Sequence, residues 1–178
     1  MTTYLILAAM LVAAPGTASG PQDDIPVVAV KAAFLYNFAK FTDWPAFPAN
    51  APLAICIVGD DGIAEALLET VRHQKIDGHP IEVRRPESIQ MWWSCHELFI
   101  AEGETRRFAS GLTAVKTMPV LTVSDEKGFA QTGGIIELYV EGGRTRFAIN
   151  LDAAGRPGLR LSSRLLGLAK VVRDGGRQ

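Results

Sequence analysis

The sequence predicts an α/β fold in which a mostly parallel sheet carries helices on both faces, extended by a C-terminal antiparallel hairpin and a closing helix. Short apolar runs alternate with segments of helical spacing from residue 30 to residue 125, the pattern of crossover helices between parallel strands. Two strand-like runs then flank Gly142 and Gly143, which is a hairpin signal. The last apolar segment follows Ser162 and Ser163, either of which can cap a helix.

Composition is that of one globular domain. The chain has 178 residues, of which 48% are apolar, and this excludes a disordered protein. The formal net charge is −1, so no basic field predicts a nucleic-acid partner. We predict a single domain over residues 27–173 and a short tail over residues 174–178.

The first residues have the pattern of a secretory signal peptide. The uncharged apolar run YLILAAMLVAA is followed by the small residues of PGTASG. The run is too short to span a bilayer, which takes about 20 residues. We therefore predict a signal peptide over residues 1–20, a polar linker over residues 21–26 and a mature protein in the periplasm. The segment MTTY before the run has no Lys or Arg, which leaves a retained anchor or a different start codon as alternatives.

The predicted elements follow in order. VKAAFLYNFAKFTDWP, from Val30 to Pro45, predicts a helix that is apolar on nearly every side and ends before Pro45. LAICIV is a continuous apolar run, as expected of a strand covered on both faces. IAEALLETVRH has helical spacing. Further strands are predicted at 79–85, 97–101 and 118–125, with helical turns at 86–94 and a helix at 104–115.

The C-terminal third predicts an antiparallel hairpin and then a helix. Side chains alternate in polarity on either side of the EGGR turn. SSRLLGLAKVV is predicted to be a closing helix, with Lys170 and Arg173 at its negative end and Gly175 after it.

The two cysteines, Cys56 and Cys95, favour a disulfide, because an even count in an exported protein is typical of a bridge. In a flavodoxin-like strand order the first and third strands are neighbours. Cys56 lies within the first strand and Cys95 just ahead of the third, so the bridge is geometrically possible. The alternative is two buried thiols.

No catalytic constellation is recognisable. VGDDG after the first strand could meet an anion, but a tight turn with Asp60 or Asp61 as helix cap is the simpler interpretation. The succession Cys95, His96, Glu97 cannot readily share a metal, since neighbours in a strand face opposite sides. We predict no catalytic residue, no metal site and no cofactor.

Two adjacent tryptophans, Trp92 and Trp93, are candidates for stacking a ligand or anchoring a partner. The alternative is that one of them packs in the core and the other on the surface.

Four segments together resemble the YfiR-like family of periplasmic proteins: VKAAFLYNFAKFTDWP, ICIVGDD, RTRFAINLDAA and LRLSSRLLGLAKVV. The similarity covers residues 27–172. It implies an exported α/β domain that tends to form a homodimer and binds the periplasmic region of a membrane-bound diguanylate cyclase. Repression of that cyclase lowers cyclic di-GMP and restrains biofilm formation. Cys56 and Cys95 match a family disulfide position, whereas a second pair found in some members is absent here.

The apolar first helix is predicted to be either enclosed in the core or shared with a partner. In the second case its partner-binding residues are Lys31, Tyr36, Asn37, Phe38 and Trp44. In the first case it packs on the sheet with Trp44 as a lid. The function predicted first is a non-enzymatic periplasmic regulator. The alternatives are a small-ligand sensor for another membrane receptor or sensor kinase, and a hydrolase whose site is not recognisable.

Overall fold

The computed structural model describes residues 26–45, 47–48 and 51–174. The predicted signal peptide, residues 21–25 of the predicted linker and Gly175 lie outside the described residues. The helices are α1 (Val27–Lys40), α2 (Asp61–Val71), a 3-10 helix (Ile89–Ser94), α3 (Glu104–Arg107), α4 (Ala109–Val115), α5 (Leu151–Gly155) and α6 (Ser163–Leu166). The strands are β1 (Thr42–Asp43), β2 (Leu53–Val58), β3 (Lys75–Ile76), β4 (His79–Arg84), β5 (Glu97–Ile100), β6 (Leu121–Ser124), β7 (Ile136–Glu141), β8 (Arg144–Asn150), β9 (Arg160–Leu161) and β10 (Lys170–Val172).

Eight of these strands form one sheet in the order β10-β8-β7-β6-β5-β2-β4-β3. The strands β4, β2, β5, β6 and β7 are parallel, in the flavodoxin-like order under which the two cysteines were expected to be neighbours. β8 returns antiparallel to β7, and β10 runs parallel to β8. β1 and β9 form a separate antiparallel pair. The predicted α/β fold, with a mostly parallel sheet and a C-terminal hairpin, is confirmed.

Alternating side chains of the central strands build two cores, one on each face of the sheet. On β2, Ile55 and Ile57 face the side covered by α1 and α2, where the larger cluster of buried apolar residues lies. Cys56 and Val58 face the opposite side, which is covered by the 3-10 helix and α4. Because both faces are covered, the strand is apolar along its whole length, as the sequence shows.

The turn of the hairpin requires its two glycines. Gly142 has φ +58° and Gly143 has φ +72°, both in the left-handed region that side chains rarely adopt. Two successive positive φ values are typical of the two-residue turns that match the twist of a hairpin.

The predicted closing helix is present but shorter than expected. Ser162 caps α6, its hydroxyl accepting a hydrogen bond from the Leu165 amide at 3.3 Å, but the helix ends at Leu166. Lys170–Val172 forms strand β10 instead and pairs with Ala148–Asn150 of β8. The outer edge of β8 offers unpaired backbone groups, and β-branched valines suit a strand better than a helix. The predicted helix at 104–115 is likewise divided at Phe108 into α3 and α4.

Candidate functional site

Helix α1 packs one side firmly into the core. Leu35 and Phe38 are completely buried. The Phe38 ring lies against Phe147 of β8 at 5.1 Å and against Phe34 at 5.7 Å between centroids. The prediction that Phe38 contacts a partner is therefore wrong, because its ring is enclosed by the sheet and has no surface to offer.

The opposite side of α1 carries an accessible stripe, which we define as Ala33, Tyr36, Asn37 and Lys40. These residues recur at helical spacing and so share one face. Ala33, Asn37 and Lys40 are exposed and Tyr36 is half-buried. The Asn37 side chain donates a hydrogen bond to the Ala33 carbonyl at 2.8 Å, and the Lys40 ammonium lies 5.8 Å from the Tyr36 ring centroid. This α1 stripe is the accessible part of the predicted partner surface.

Trp44 does not lie on the α1 stripe but anchors the chain that follows α1. Its indole nitrogen donates a hydrogen bond to the His96 carbonyl at 3.0 Å. Phe47 stacks on His79 at 4.1 Å and contacts His96 at 4.5 Å between ring centroids. Burial lowers the pKa of His96, and the Ala54 amide donates to its Nδ1 at 3.0 Å, as a neutral ring allows. Trp44 is thus half-buried, and its contacts are those of a side chain that covers the core, as in the alternative in which Trp44 is a lid.

Lys31 is turned away from the α1 stripe and ties the helix to the sheet. Its ammonium pairs with the Asp125 carboxylate at 2.5 Å, and the two side chains are only 22% and 14% exposed. The other Asp125 oxygen accepts a hydrogen bond from the Glu102 amide at 2.6 Å. Asp125 follows β6 and Glu102 follows β5, so this ion pair joins α1 to the carboxyl edge of the sheet.

A cleft of about 750 Å³ opens at the same edge. We call it the carboxyl-edge cleft. It is lined by Val27, Lys31, Glu102, Asp125, Lys127, Gly128, Gln131, Glu137, Leu138, Tyr139, Val140, Thr145, Ala148 and Lys170. Ligands of open α/β sheets bind beyond the carboxyl ends of the strands, and the volume lies within the usual range for a small-molecule site. The cleft exists because β6 pairs with β7 only as far as Glu137, while β7 continues to Glu141. Nothing in the sequence indicated that overhang.

The disulfide between Cys56 and Cys95 is present. The two Cα atoms are 5.8 Å apart, and both residues are buried on the face of the sheet opposite α1. The bond links β2 to the residue immediately before β5. It therefore lies well away from the α1 stripe.

The two tryptophans of the 3-10 helix separate into core and surface. Trp92 is 1% exposed and packs against Phe108 at 5.5 Å between centroids, so the prediction that Trp92 contacts a ligand or partner is wrong. Gly111 permits this packing, because a Cβ there would lie 2.6 Å from the Trp92 ring. Trp93 is 62% exposed and remains a candidate contact.

The segment VGDDG is a helix cap. The Asp60 carboxylate accepts a hydrogen bond from the Ile63 amide at 2.9 Å and so occupies the N-terminus of α2. Within residues 26–45, 47–48 and 51–174, no group of three His, Cys, Asp or Glu side chains could hold a metal ion.

Glu97 was considered from the sequence only as a metal ligand, but its burial makes it notable for another reason. It is fully buried on β5, and neither carboxylate oxygen has a hydrogen-bond partner among the described residues. Burial raises the pKa of Glu97 well above its usual range. The available signal was a lone ionisable residue opening the apolar strand ELFI.

No helix in the described part of the chain has the length and apolar character needed to cross a bilayer. Residues 28–170 match the protein family described as YfiR/HmsC-like, and this range runs from the second residue of α1 to the first residue of β10. The chain belongs to the YfiR/HmsC-like family.

Proposed function

We propose that the mature protein is a non-enzymatic periplasmic regulator that binds the periplasmic part of an inner-membrane signalling protein. Its target is a diguanylate cyclase, which it represses, so that cyclic di-GMP falls. The observation that carries this proposal is the family match over residues 28–170, since membership of the YfiR/HmsC-like family supports a periplasmic regulator of diguanylate cyclase signalling in general.

The α1 stripe supports the proposal as a preformed contact surface. Leu35 and Phe38 fix the helix on the sheet, and Lys31 ties its first half to Asp125. A rigid surface loses little conformational entropy when a partner arrives, which favours binding. Tyr36 is the aromatic residue of the stripe, and tyrosine is common at binding hot spots.

The decisive variant is Tyr36→Glu. A charge at the centre of an interface should cost about 2 kcal/mol or more of binding energy, while a half-buried position leaves it access to water. Ala114→Glu is the matched control, because Ala114 is an exposed helical position on α4, across the sheet from α1. Phe38→Glu shows the result expected for a core position, because an unpaired buried charge should unfold the domain.

Two measurements are required. The first is thermal unfolding of each purified variant, and the second is cyclic di-GMP in a deletion strain complemented with each variant. We expect Tyr36→Glu to melt normally and to leave cyclic di-GMP high, whereas Ala114→Glu restores repression. Normal repression by folded Tyr36→Glu would remove the α1 stripe from the interface. Unchanged cyclic di-GMP in the deletion strain would refute the cyclase target.

A homodimer is also proposed, as the family resemblance implies. Sedimentation velocity at micromolar concentration should give the mass of two chains. A single-chain mass across the concentration range would contradict it.

A second candidate function is a small-ligand sensor acting on another membrane receptor or sensor kinase. The carboxyl-edge cleft favours it, because Val27 and Val140 are 61% and 71% exposed on its walls. Val140→Trp should narrow the cleft without disturbing the core. A sensor carrying this change should lose its signalling response and still bind its partner, whereas a repressor without a ligand should be unaffected.

A further inference from the structure

We propose that a second cavity, on the face of the sheet opposite α1, binds a small oxyanion carrying at least two negative charges. This inference is independent of the proposed function, since it concerns a ligand and not the membrane partner.

The cavity has a volume of about 450 Å³ and lies between α4 and the loop of residues 126–135. We call it the cationic cavity. Its apolar lining is Ala109, Leu112, Val115, Val120, Phe129, Ile135 and Ala153. Thr122 of β6 points to this face, since its neighbours Leu121 and Val123 belong to the core beneath α1. The volume accommodates a small organic molecule.

Four cationic side chains line the cationic cavity, namely Arg106, Lys116, Lys127 and Arg156, against one acid, Glu126. The Glu126 carboxylate already accepts a hydrogen bond from the Gly103 amide at 2.7 Å. Among the described residues, the first three cations form no ion pair. This excess of positive charge is unusual in a chain whose net charge is −1.

The charges that line the carboxyl-edge cleft are balanced, in contrast to those of the cationic cavity. Its three cations, Lys31, Lys127 and Lys170, are matched by three acids, Glu102, Asp125 and Glu137. Lys31 and Asp125 are directly paired there. Of these two spaces among the described residues, the cationic cavity is the one whose lining has more cations than acids, and it keeps that excess even when Lys127, which lines both, is left out.

Arg156 supplies a second, independent observation. One guanidinium nitrogen, Nη2, pairs with the Asp174 carboxylate. The other, Nη1, is buried and has no hydrogen-bond partner among the described residues. A buried donor left unpaired is costly, and an arginine fork is suited to two oxygens of a carboxylate or phosphate. An oxyanion in the cavity would provide the missing acceptor.

Lys116 extends across the cationic cavity toward the loop. Its ammonium nitrogen lies 3.9 Å from the position that a Cβ on Gly133 would take. Hydrogen bonds from Asn150 and Arg156, together with the charges of Arg156 and Lys116, lower the pKa of Asp174. The cations of this region thus already stabilise one carboxylate of the chain, and the same field would act on a bound anion.

The test is isothermal titration calorimetry of the mature protein with citrate and with pyrophosphate, at constant ionic strength set by sodium chloride. We expect saturable binding of at least one of the two probes. Binding of citrate alone would identify a carboxylate ligand, and binding of pyrophosphate alone a phosphate ligand. No saturable binding of either would overturn the proposal.

Two double variants distinguish binding in the cationic cavity from a general effect of the protein's positive charges. Arg106→Ala/Lys116→Ala should weaken binding by at least about tenfold, because charge-assisted hydrogen bonds are among the strong ones. Arg72→Ala/Lys75→Ala removes two exposed cations that line neither space and should leave the affinity unchanged. Equal affinities for all proteins, or an equal loss in both double variants, would overturn the proposal. Should the first double variant melt early, Arg106→Ala alone must still weaken binding, because Arg106 is exposed and lines only the cationic cavity.

Discussion

Replacing Glu97 should make the protein more stable near neutral pH and less sensitive to pH. Glu97 pairs in register with Ile55 of β2 and Leu121 of β6, and it shares its side of β5 with Phe99. Its carboxyl group is 0% exposed and has no hydrogen-bond partner among the described residues. Glu97→Leu keeps a similar volume and removes the unpaired polar atoms, whose burial costs about 1–3 kcal/mol.

The pH dependence follows from the direction of the pKa shift. Burial raises the pKa of Glu97 in the folded state well above its unfolded value. The folded protein therefore retains a proton that the unfolded chain releases as pH rises. Stability is fully present below the unfolded pKa and falls between the two pKa values, by about 1.4 kcal/mol per pH unit for one proton.

Urea unfolding at a series of pH values between 4 and 8, followed by circular dichroism, measures this effect. The free energy of unfolding of Glu97→Leu minus that of wild type should grow with pH at up to about 1.4 kcal/mol per unit. Glu97→Gln should show the same difference in slope, because an amide does not ionise. Other titrating groups, such as His96, cancel in the comparison.

Glu82 is a control for the direction of the pH dependence, because its pKa is shifted in the opposite direction to that of Glu97. It is an exposed residue of β4 whose pKa is lowered, chiefly by a hydrogen bond from Arg84. The contribution of Glu82 to stability is present above its unfolded pKa and is lost as pH falls through its folded pKa. The free energy of unfolding of Glu82→Gln should therefore differ from that of wild type only above the acid range. Parallel stability curves for wild type and Glu97→Gln would refute the argument for Glu97.

Two further predictions concern the disulfide and the first helix. The Cys56 to Cys95 separation of 39 residues gives about 4 kcal/mol in the chain-entropy model, so reductant should lower the urea midpoint of wild type and not of Cys56→Ala/Cys95→Ala. Coincident midpoints of oxidised and reduced wild type would contradict this. Phe38→Ala should lose about 3–5 kcal/mol of stability by the same assay, whereas Asn37→Ala should stay within about 0.5 kcal/mol. A small effect of Phe38→Ala would place its ring outside the core.

The parallel part of the fold was predictable because its signals are local. A strand covered on both faces must be apolar along its length, as β2 is. The hairpin turn needs positive φ at two positions, and Gly142 and Gly143 supply them. The disulfide followed from cysteine count and strand order, since β2 and β5 are neighbours.

The C-terminal segment and the site residues depended on distant contacts instead. Lys170–Val172 forms a strand because β8 has a free edge, and only the folded sheet reveals that edge. The balance of charge between the two cavities could not be read from the sequence either. It arises from residues far apart in the sequence, such as Arg106 of α3 and Arg156 at the end of α5, that meet only after folding.

Helix α1 illustrates why an apolar helix is ambiguous by sequence alone. Its large side chains divide among different surroundings, with Phe38 in the core and Tyr36 half-buried on the α1 stripe. Its polar residue Lys31 lines the carboxyl-edge cleft, where it pairs with Asp125. One rigid helix therefore presents a face to the carboxyl-edge cleft and another to the proposed partner. A ligand that competed for the Lys31 to Asp125 pair would act on the element that carries Tyr36, so repression and ligand sensing are compatible functions of the same helix.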